Sequence, residues 1–146
     1  MRINGEWLQC LDGDIRPVIR GAILGGDGVW RIVQLLIDTG ADRTVFSADV
    51  LAESSLAELE ADRAVGGIGG TIATVTVETR LRFDRDDGVA TFFRSRFAAC
   101  TQIEALDMSV LGRDILDLFA LIIDRRSDVV AMIGGQHAYT IHPRTN

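Results

Sequence analysis

The chain contains no lysine: all fifteen of its basic residues are arginine. That absence excludes a Walker A phosphate loop, a Schiff-base lysine and a Ser-Lys dyad, each of which needs an ammonium group. Cysteine is almost as scarce. Cys10 and Cys100 are too few and too scattered for a disulfide framework or a thiolate metal site. Both are expected to be reduced, with Cys100 in the core. Long apolar runs are missing too: none approaches the ~20 residues of a membrane span. Met1 to Glu6 lacks the apolar centre of a secretory signal. The expectation is no membrane partner and, by default, a cytoplasmic location. Basic clusters are limited to Arg80, Arg82 and Arg85 and to Arg94 and Arg96, interleaved with acids along predicted strands. With a net charge of −6, this reads as a solvated sheet face and disfavours a nucleic-acid partner.

What is present is a single domain's worth of globular chain. Its 146 residues are 47% apolar and 25% charged, long enough to bury about two-thirds of the unfolded surface. The patterning is mostly short strands. Pro17 to Leu24 and Val29 to Ile37 flank Gly25-Gly26-Asp27-Gly28 as a hairpin. The second of these strands turns almost continuously apolar at its end, which implies burial on both sides. Ser47 is placed to cap a short helix through Val50 and Leu51. Thr71 to Phe83 alternates as one long strand and turns at Asp84 to Gly88 into Val89 to Ala99. Gly112 to Phe119 reads as a short helix feeding a strand, Ala120 to Asp124. After a turn at residues 125–128 come Val129 to Ile133 and a last extended piece, Ala138 to Ile141.

The most informative residues stand where the second strand ends: Leu35-Leu36-Ile37-Asp38-Thr39-Gly40-Ala41-Asp42. A carboxylate at the end of a buried strand sits in a partly dry place, where its protonation can be tuned for acid-base work. Taken alone, Asp-Thr-Gly is an ordinary turn, because Asp readily bonds its own backbone two residues on. There is no second Asp-Thr-Gly or Asp-Ser-Gly. Chemistry that needs two such acids therefore needs two copies of the chain.

Two further segments change the weight of that motif. Gly66-Gly67-Ile68-Gly69-Gly70 precedes the long strand as a mobile hairpin tip with one apolar tooth, Ile68. It lacks the final glycine of a dinucleotide cradle, and no helix pattern follows it. Val110-Leu111-Gly112-Arg113-Asp114 ends an apolar pair and opens a helix, which directs Arg113 back towards the acids near residue 40. Seen alone, Arg113 would be a surface residue on a first helical turn.

In their order and spacing, the Asp38–Asp42 motif, the Gly66–Gly70 hairpin and Val110–Asp114 resemble the retroviral-type aspartic proteases, or retropepsins, and their single-lobe bacterial relatives. The resemblance covers residues 16–124 of one retropepsin-like domain. Residues 1–15 form an extension before it, and residues 125–146 form one after it, long enough for a β-hairpin. It implies a mainly β fold: a closed β-barrel acid-protease lobe with one or two short helices and a glycine-rich flap. It implies an aspartic endopeptidase that works as a homodimer on a peptide or protein substrate, with no cofactor and no metal. Asp38 would be the catalytic acid, paired with Asp38 of the partner subunit. Thr39 would lock the two turns together, and Gly40 would admit the substrate backbone. Ala41 and Asp42 would border the cleft, with Asp42 also pairing with Arg113 as structural support. Gly67, Ile68 and Gly69 would cover the substrate, and Val45 and Val110 would line its side-chain pockets.

Two carboxylates about 3 Å apart cannot both ionise, so such a dyad keeps one proton; aspartic proteases are the standard illustration of this effect. Ala41 stands where many two-lobed relatives have a hydroxyl. Without that hydrogen bond the ionised form is less favoured, which implies activity at weakly rather than strongly acidic pH.

Other chemistries fit less well. His137 and His142 have no third ligand spaced with them. No Gly-x-Ser-x-Gly elbow supports a serine triad. Trp7, Trp30 and Tyr139 are too dispersed for a binding stripe. Two rival readings keep the fold: a catalytically silent dimerisation or peptide-binding module, and a self-processing zymogen.

Overall fold

The computed structural model describes residues 1–61, 65–67 and 70–143. In chain order the elements are β1 (Arg2–Asn4), β2 (Glu6–Gln9), β3 (Ile15–Leu24), β4 (Trp30–Ile37), β5 (Val45–Phe46), α1 (Ala48–Ser54), β6 (Glu58–Ala61) and β7 (Val65–Gly67). They continue with β8 (Gly70–Ile72), β9 (Thr74–Asp84), β10 (Ala90–Cys100), a 3-10 turn (Ile103–Ala105), β11 (Ser109–Leu111), α2 (Arg113–Leu116), β12 (Phe119–Asp124) and β13 (Val129–Gly134). The mainly β expectation holds.

Two hairpins use the same local chemistry. The Asp27 carboxylate accepts the Val29 N–H at 3.1 Å, and Gly28 takes φ +79°. The Asp87 carboxylate accepts the Val89 N–H at 3.1 Å, and Gly88 takes φ +80°. In each case the acid fixes the turn and the glycine supplies the left-handed residue. Arg31 adds two hydrogen bonds to Asp27, at 2.8 and 2.6 Å. That guanidinium, with the Val29 N–H second, holds the Asp27 carboxyl well below the usual carboxylate range.

The main sheet runs β2-β3-β4-β11-β5-β10-β9-β6, and β3 returns to β9 through Ala22 opposite Arg82 and Ile23 opposite Leu81. That extra pairing closes β3, β4, β11, β5, β10 and β9 into a barrel. Strict alternation on β9 sends Val75, Val77, Leu81 and Phe83 inward while Glu78, Arg80 and Asp84 face out. Phe46 and Phe97 meet inside the barrel with ring centroids 5.3 Å apart. Cys100 is buried as expected, and burial pushes its thiol up. The predicted hairpin of β3 and β4 is present, and its tip rests on the end of α1. The Gly26 N–H donates to Ser54 O at 2.9 Å, and a Cβ on Gly26 would lie 1.9 Å from Ser55 O.

Several local expectations are corrected. The strand expected over Thr71 to Phe83 is divided at Ala73 into β8, which pairs with β7, and β9, which belongs to the barrel. The helix expected over Gly112 to Phe119 is only four residues long, because the Leu118 N–H closes its last turn on Ile115 O and Phe119 already pairs with Gly134. Ser47 stands at the N-cap of α1, but its side chain makes no cap hydrogen bond; the two hydroxyls of Ser47 and Ser109 meet at 3.1 Å instead.

Among the described residues, 125–143 hold one strand, β13, whose partners lie outside this segment. β13 pairs with β12 on one side and with β1 on the other, making a separate sheet β1-β13-β12. With both edges of β13 occupied, Ala138 to Ile141 joins no strand. The buried Ile3, Val130 and Met132 anchor this sheet to the core that fills the barrel. Among the described residues no helix is long and apolar enough to cross a membrane.

Candidate active site

The site is built where three short segments cross. β11 runs parallel to β4, with Ser109 opposite Leu35 and Leu111 opposite Ile37. The ladder extends one residue past β4, since the Asp38 N–H donates to Leu111 O at 3.2 Å. Asp38 is thus fixed by the backbone that follows two buried apolar residues, and it is half-buried. Its own turn then closes on it. The Gly40 N–H donates to Asp38 Oδ1 at 2.9 Å, and the Ala41 N–H donates to Asp38 O at 3.2 Å. Thr39 and Gly40 are exposed at the tip and Ala41 is half-buried behind them.

The descending arm of this turn is stitched to α2. The Arg113 N–H donates to Ala41 O at 2.8 Å, and the Asp114 N–H donates to Asp42 O at 3.2 Å. The Arg113 guanidinium forms an ion pair with the Asp42 carboxylate. Hydrogen bonding to that carboxylate, with its charge second, keeps Arg113 protonated more firmly than usual. Both side chains are largely exposed, so this pair orients more than it stabilises.

Beneath it lies a polar joint centred on Thr44. Thr44, wholly buried, donates to Asp114 Oδ1 from its N–H at 2.9 Å and from its hydroxyl at 2.7 Å. The Gly112 N–H donates back to Thr44 Oγ1 at 3.2 Å. Gly112 itself faces the backbone of Arg43, and a Cβ there would lie 2.3 Å from the Arg43 carbonyl carbon. The two loops touch backbone to backbone at this point, which only glycine permits.

The structure therefore brings Asp38, Thr39, Gly40, Ala41, Asp42 and Arg113 into one crossing. Val45 and Val110 stand directly opposite each other in the β5–β11 pairing, and both are buried in the single chain. Gly67 pairs with Gly70 across the β7–β8 hairpin; Ile68 and Gly69 lie outside the described residues. Sequence reasoning missed Thr44, Ser47, Ser109, Gly112 and Asp114 as the supports of the turn. Small polar residues beside apolar strand ends, as at Thr44-Val45-Phe46 and Ser109-Val110-Leu111, were the signal available.

A closed barrel with an Asp-Thr-Gly turn crossed by a Gly-Arg-Asp strand-to-helix junction defines a single acid-protease lobe. Comparison with known proteins agrees. The profile of the retroviral aspartyl protease family matches residues 14–123, and the chain belongs to that family. Members of it are aspartic proteases that generally work as dimers. Among solved structures the chain is similar to EIAV protease complexed with the inhibitor HBY-793, at 23% identity and a TM-score of 0.54, covering 70% of this chain and 86% of that one. It is also similar to a retropepsin-like aspartic protease from Rickettsia conorii, at 16% identity and a TM-score of 0.52, covering 90% and 88%. At these identities the likeness speaks for the fold. No curated protein matches the chain.

Proposed function

We propose that the chain is an aspartic endopeptidase that works as a homodimer, with Asp38 and Asp38 of the partner subunit forming the catalytic dyad. The observation that carries this reading is the fixed Asp38 turn. Its backbone is bonded to Leu111, and its carboxylate takes the Gly40 N–H, so the acid is oriented before any substrate arrives. Family membership supplies the reaction class.

In that dyad one carboxylate is ionised and the other protonated. The ionised acid takes a proton from a bound water as the water oxygen attacks the scissile carbonyl carbon. The protonated acid gives its proton to the carbonyl oxygen, where negative charge develops. Collapse of the resulting gem-diol breaks the C–N bond, and a proton passes to the leaving amine. Beyond substrate and water, these steps need only the two carboxyl groups. Thr39, beside the acid, ties the two turns together in this reading, a role its exposure at the tip supports; Ala41 and Asp42 border the cleft. Gly67, Ile68 and Gly69 form the cover, and Val45 and Val110 form pocket walls. Arg113 is a positioning residue, acting through Asp42. The same reading places activity at weakly acidic pH, because Ala41 offers no hydroxyl to the carboxylate.

The test is incubation of the chain and its Asp38→Asn variant with a complex peptide mixture across weakly acidic to neutral pH, with cleavage read by mass spectrometry. Cuts made by the wild type and missing from the variant are expected. A folded dimer that makes no cuts at any pH would overturn this reading in favour of the silent module or of a zymogen whose ends must first be removed.

A further inference from the structure

We propose that the outer face of β9 and β10 docks an extended acidic segment of a partner protein, with an apolar side chain two and four residues from its acids. The inference goes beyond peptide cleavage. Trp30 opens β4 and Asp38 follows its end, about 25 Å away along an extended strand, so this face stands apart from the candidate active site. The sequence pattern suggests arginines balanced by acids here, but the strand register breaks that balance. Glu78, Arg80, Arg82 and Asp84 of β9 stand opposite Arg96, Arg94, Phe92 and Ala90 of β10. Arg82 pairs with Asp84 at 3.2 Å. Glu78 takes two hydrogen bonds from Arg94, at 3.1 and 2.8 Å, although Arg96 is the residue opposite it. Among the described residues Arg80 and Arg96 are left without a carboxylate, and Arg80 stands directly opposite Arg94. Like charges so placed weaken a sheet, so folding gives no reason for them.

Beside these arginines lies a bare apolar cluster. Ile32 pairs with Ala22, Ala22 with Arg82 and Arg82 with Phe92, which makes one row across four neighbouring strands. Ile32 is 69% exposed and Phe92 56%. Trp30 leans over the row, with its ring 5.9 Å from the Phe92 ring and 5.5 Å from the Arg82 guanidinium. Single exposed apolar residues are ordinary on any protein. A contiguous group rimmed by charge marks an interaction surface.

The spacing and the charge select the occupant. Side chains two residues apart on a strand share a face at about 7 Å. Counted from Phe92, the Arg80–Arg94 row is one such step away and Arg96 is two. An extended segment lying along β10 sets an apolar residue between Trp30, Ile32 and Phe92. Its second and fourth residues from there then meet Arg80 and Arg96, where carboxylates are complementary. Single-stranded nucleic acid would need open ring faces on which bases can stack. Here the Arg82 guanidinium covers the indole and Phe92 is tilted 55° to it, so the two rings form a notch for a side chain. The net charge of −6 also opposes a long polyanion, whereas a short acidic segment meets mainly the local arginines.

The test is calorimetric titration of the full chain at low salt and neutral pH with a capped peptide, its integrity checked by mass spectrometry. The peptide carries a central phenylalanine, glutamates two and four residues away on both sides, and serine and glycine elsewhere. Arg80→Glu combined with Arg96→Gln should weaken binding about tenfold. The urea midpoint of that variant should hold, because the new acid stands opposite Arg94. Arg125→Glu combined with Arg126→Gln changes the net charge equally at another place and should leave binding within about twofold. Replacing the peptide's glutamates by glutamine, or its phenylalanine by serine, should also cost about tenfold. A peptide that the wild type does not bind, or that both charge variants lose equally, would overturn the docking face. An oligothymidylate that binds more tightly than the peptide, and is lost in the Arg80/Arg96 variant, would overturn its assignment to a protein segment.

Discussion

Replacing Gly112 by alanine is a sharp test of how the active-site turn is held. Gly112 has φ −96° and ψ 179°, backbone that any residue adopts, so its own conformation gives no reason for glycine. On conformational entropy alone, alanine there would stabilise the fold by about 0.4–1 kcal/mol. The surroundings reverse that sign. The new Cβ would meet the Arg43 carbonyl carbon at 2.3 Å, its oxygen at 2.4 Å and its nitrogen at 2.8 Å. All three are backbone atoms and none can swing aside, so the two loops must separate. Separation strains the Gly112–Thr44 hydrogen bond at 3.2 Å and the Arg113–Ala41 bond at 2.8 Å. Overpacking costs about 1–3 kcal/mol, and each weakened hydrogen bond adds about 1 kcal/mol. The net loss is therefore about 2–4 kcal/mol. Urea unfolding should show a lower midpoint with an unchanged slope. Peptide cleavage should fall with it, since the same movement displaces the Asp38 turn. A Gly112→Ala protein as stable as the wild type, or more so, would refute the backbone-contact argument.

Further outcomes follow from other contacts. Asp114→Ala removes the acceptor of two hydrogen bonds from the buried Thr44 and should cost about 1–2 kcal/mol in urea unfolding; Asp114→Asn, which keeps an oxygen acceptor, should cost clearly less. Asp27 is held below its ordinary value of 3.8, so its contribution to stability is present above about pH 4 and is lost as pH falls further. The stability gap between wild type and Asp27→Asn should accordingly narrow from about pH 5 to about pH 2 in urea melts. Arg113→Gln should leave the urea midpoint nearly unchanged, because the Asp42 pair is exposed, while altering KM or kcat for peptide cleavage. Gly26→Ala, whose Cβ would lie 1.9 Å from Ser55 O, should detach the β3–β4 tip from α1 and lower the melting temperature.

What could be read in advance was what depends on neighbours in sequence. The β3–β4 and β9–β10 hairpins follow from Asp-Gly turns between alternating runs, and Asp38 follows from an apolar run that stops at an acid. What was not legible depends on partners far along the chain. Ser47 occupies its cap position, but whether its hydroxyl turns to the helix or to Ser109 is decided by a strand sixty-two residues away. The break at Ala73 arises because residues on its two sides serve different sheets. Asp114 reads as a helix-opening acid, and only the fold shows that it anchors Thr44. The partners of β13 could not be read for the same reason: one of them, β1, lies more than a hundred residues away.

That last pairing sets an order of events during synthesis. Arg2 stands opposite Ile133 and Asn4 opposite Ala131, so β1 must wait for β13 to be made before it has a neighbour. Until then Ile3, destined for the core, has nowhere to go, while the barrel strands can already pair. Such non-local closure is slow. A nascent chain would then complete its barrel first and its terminal sheet only after the whole domain had left the ribosome.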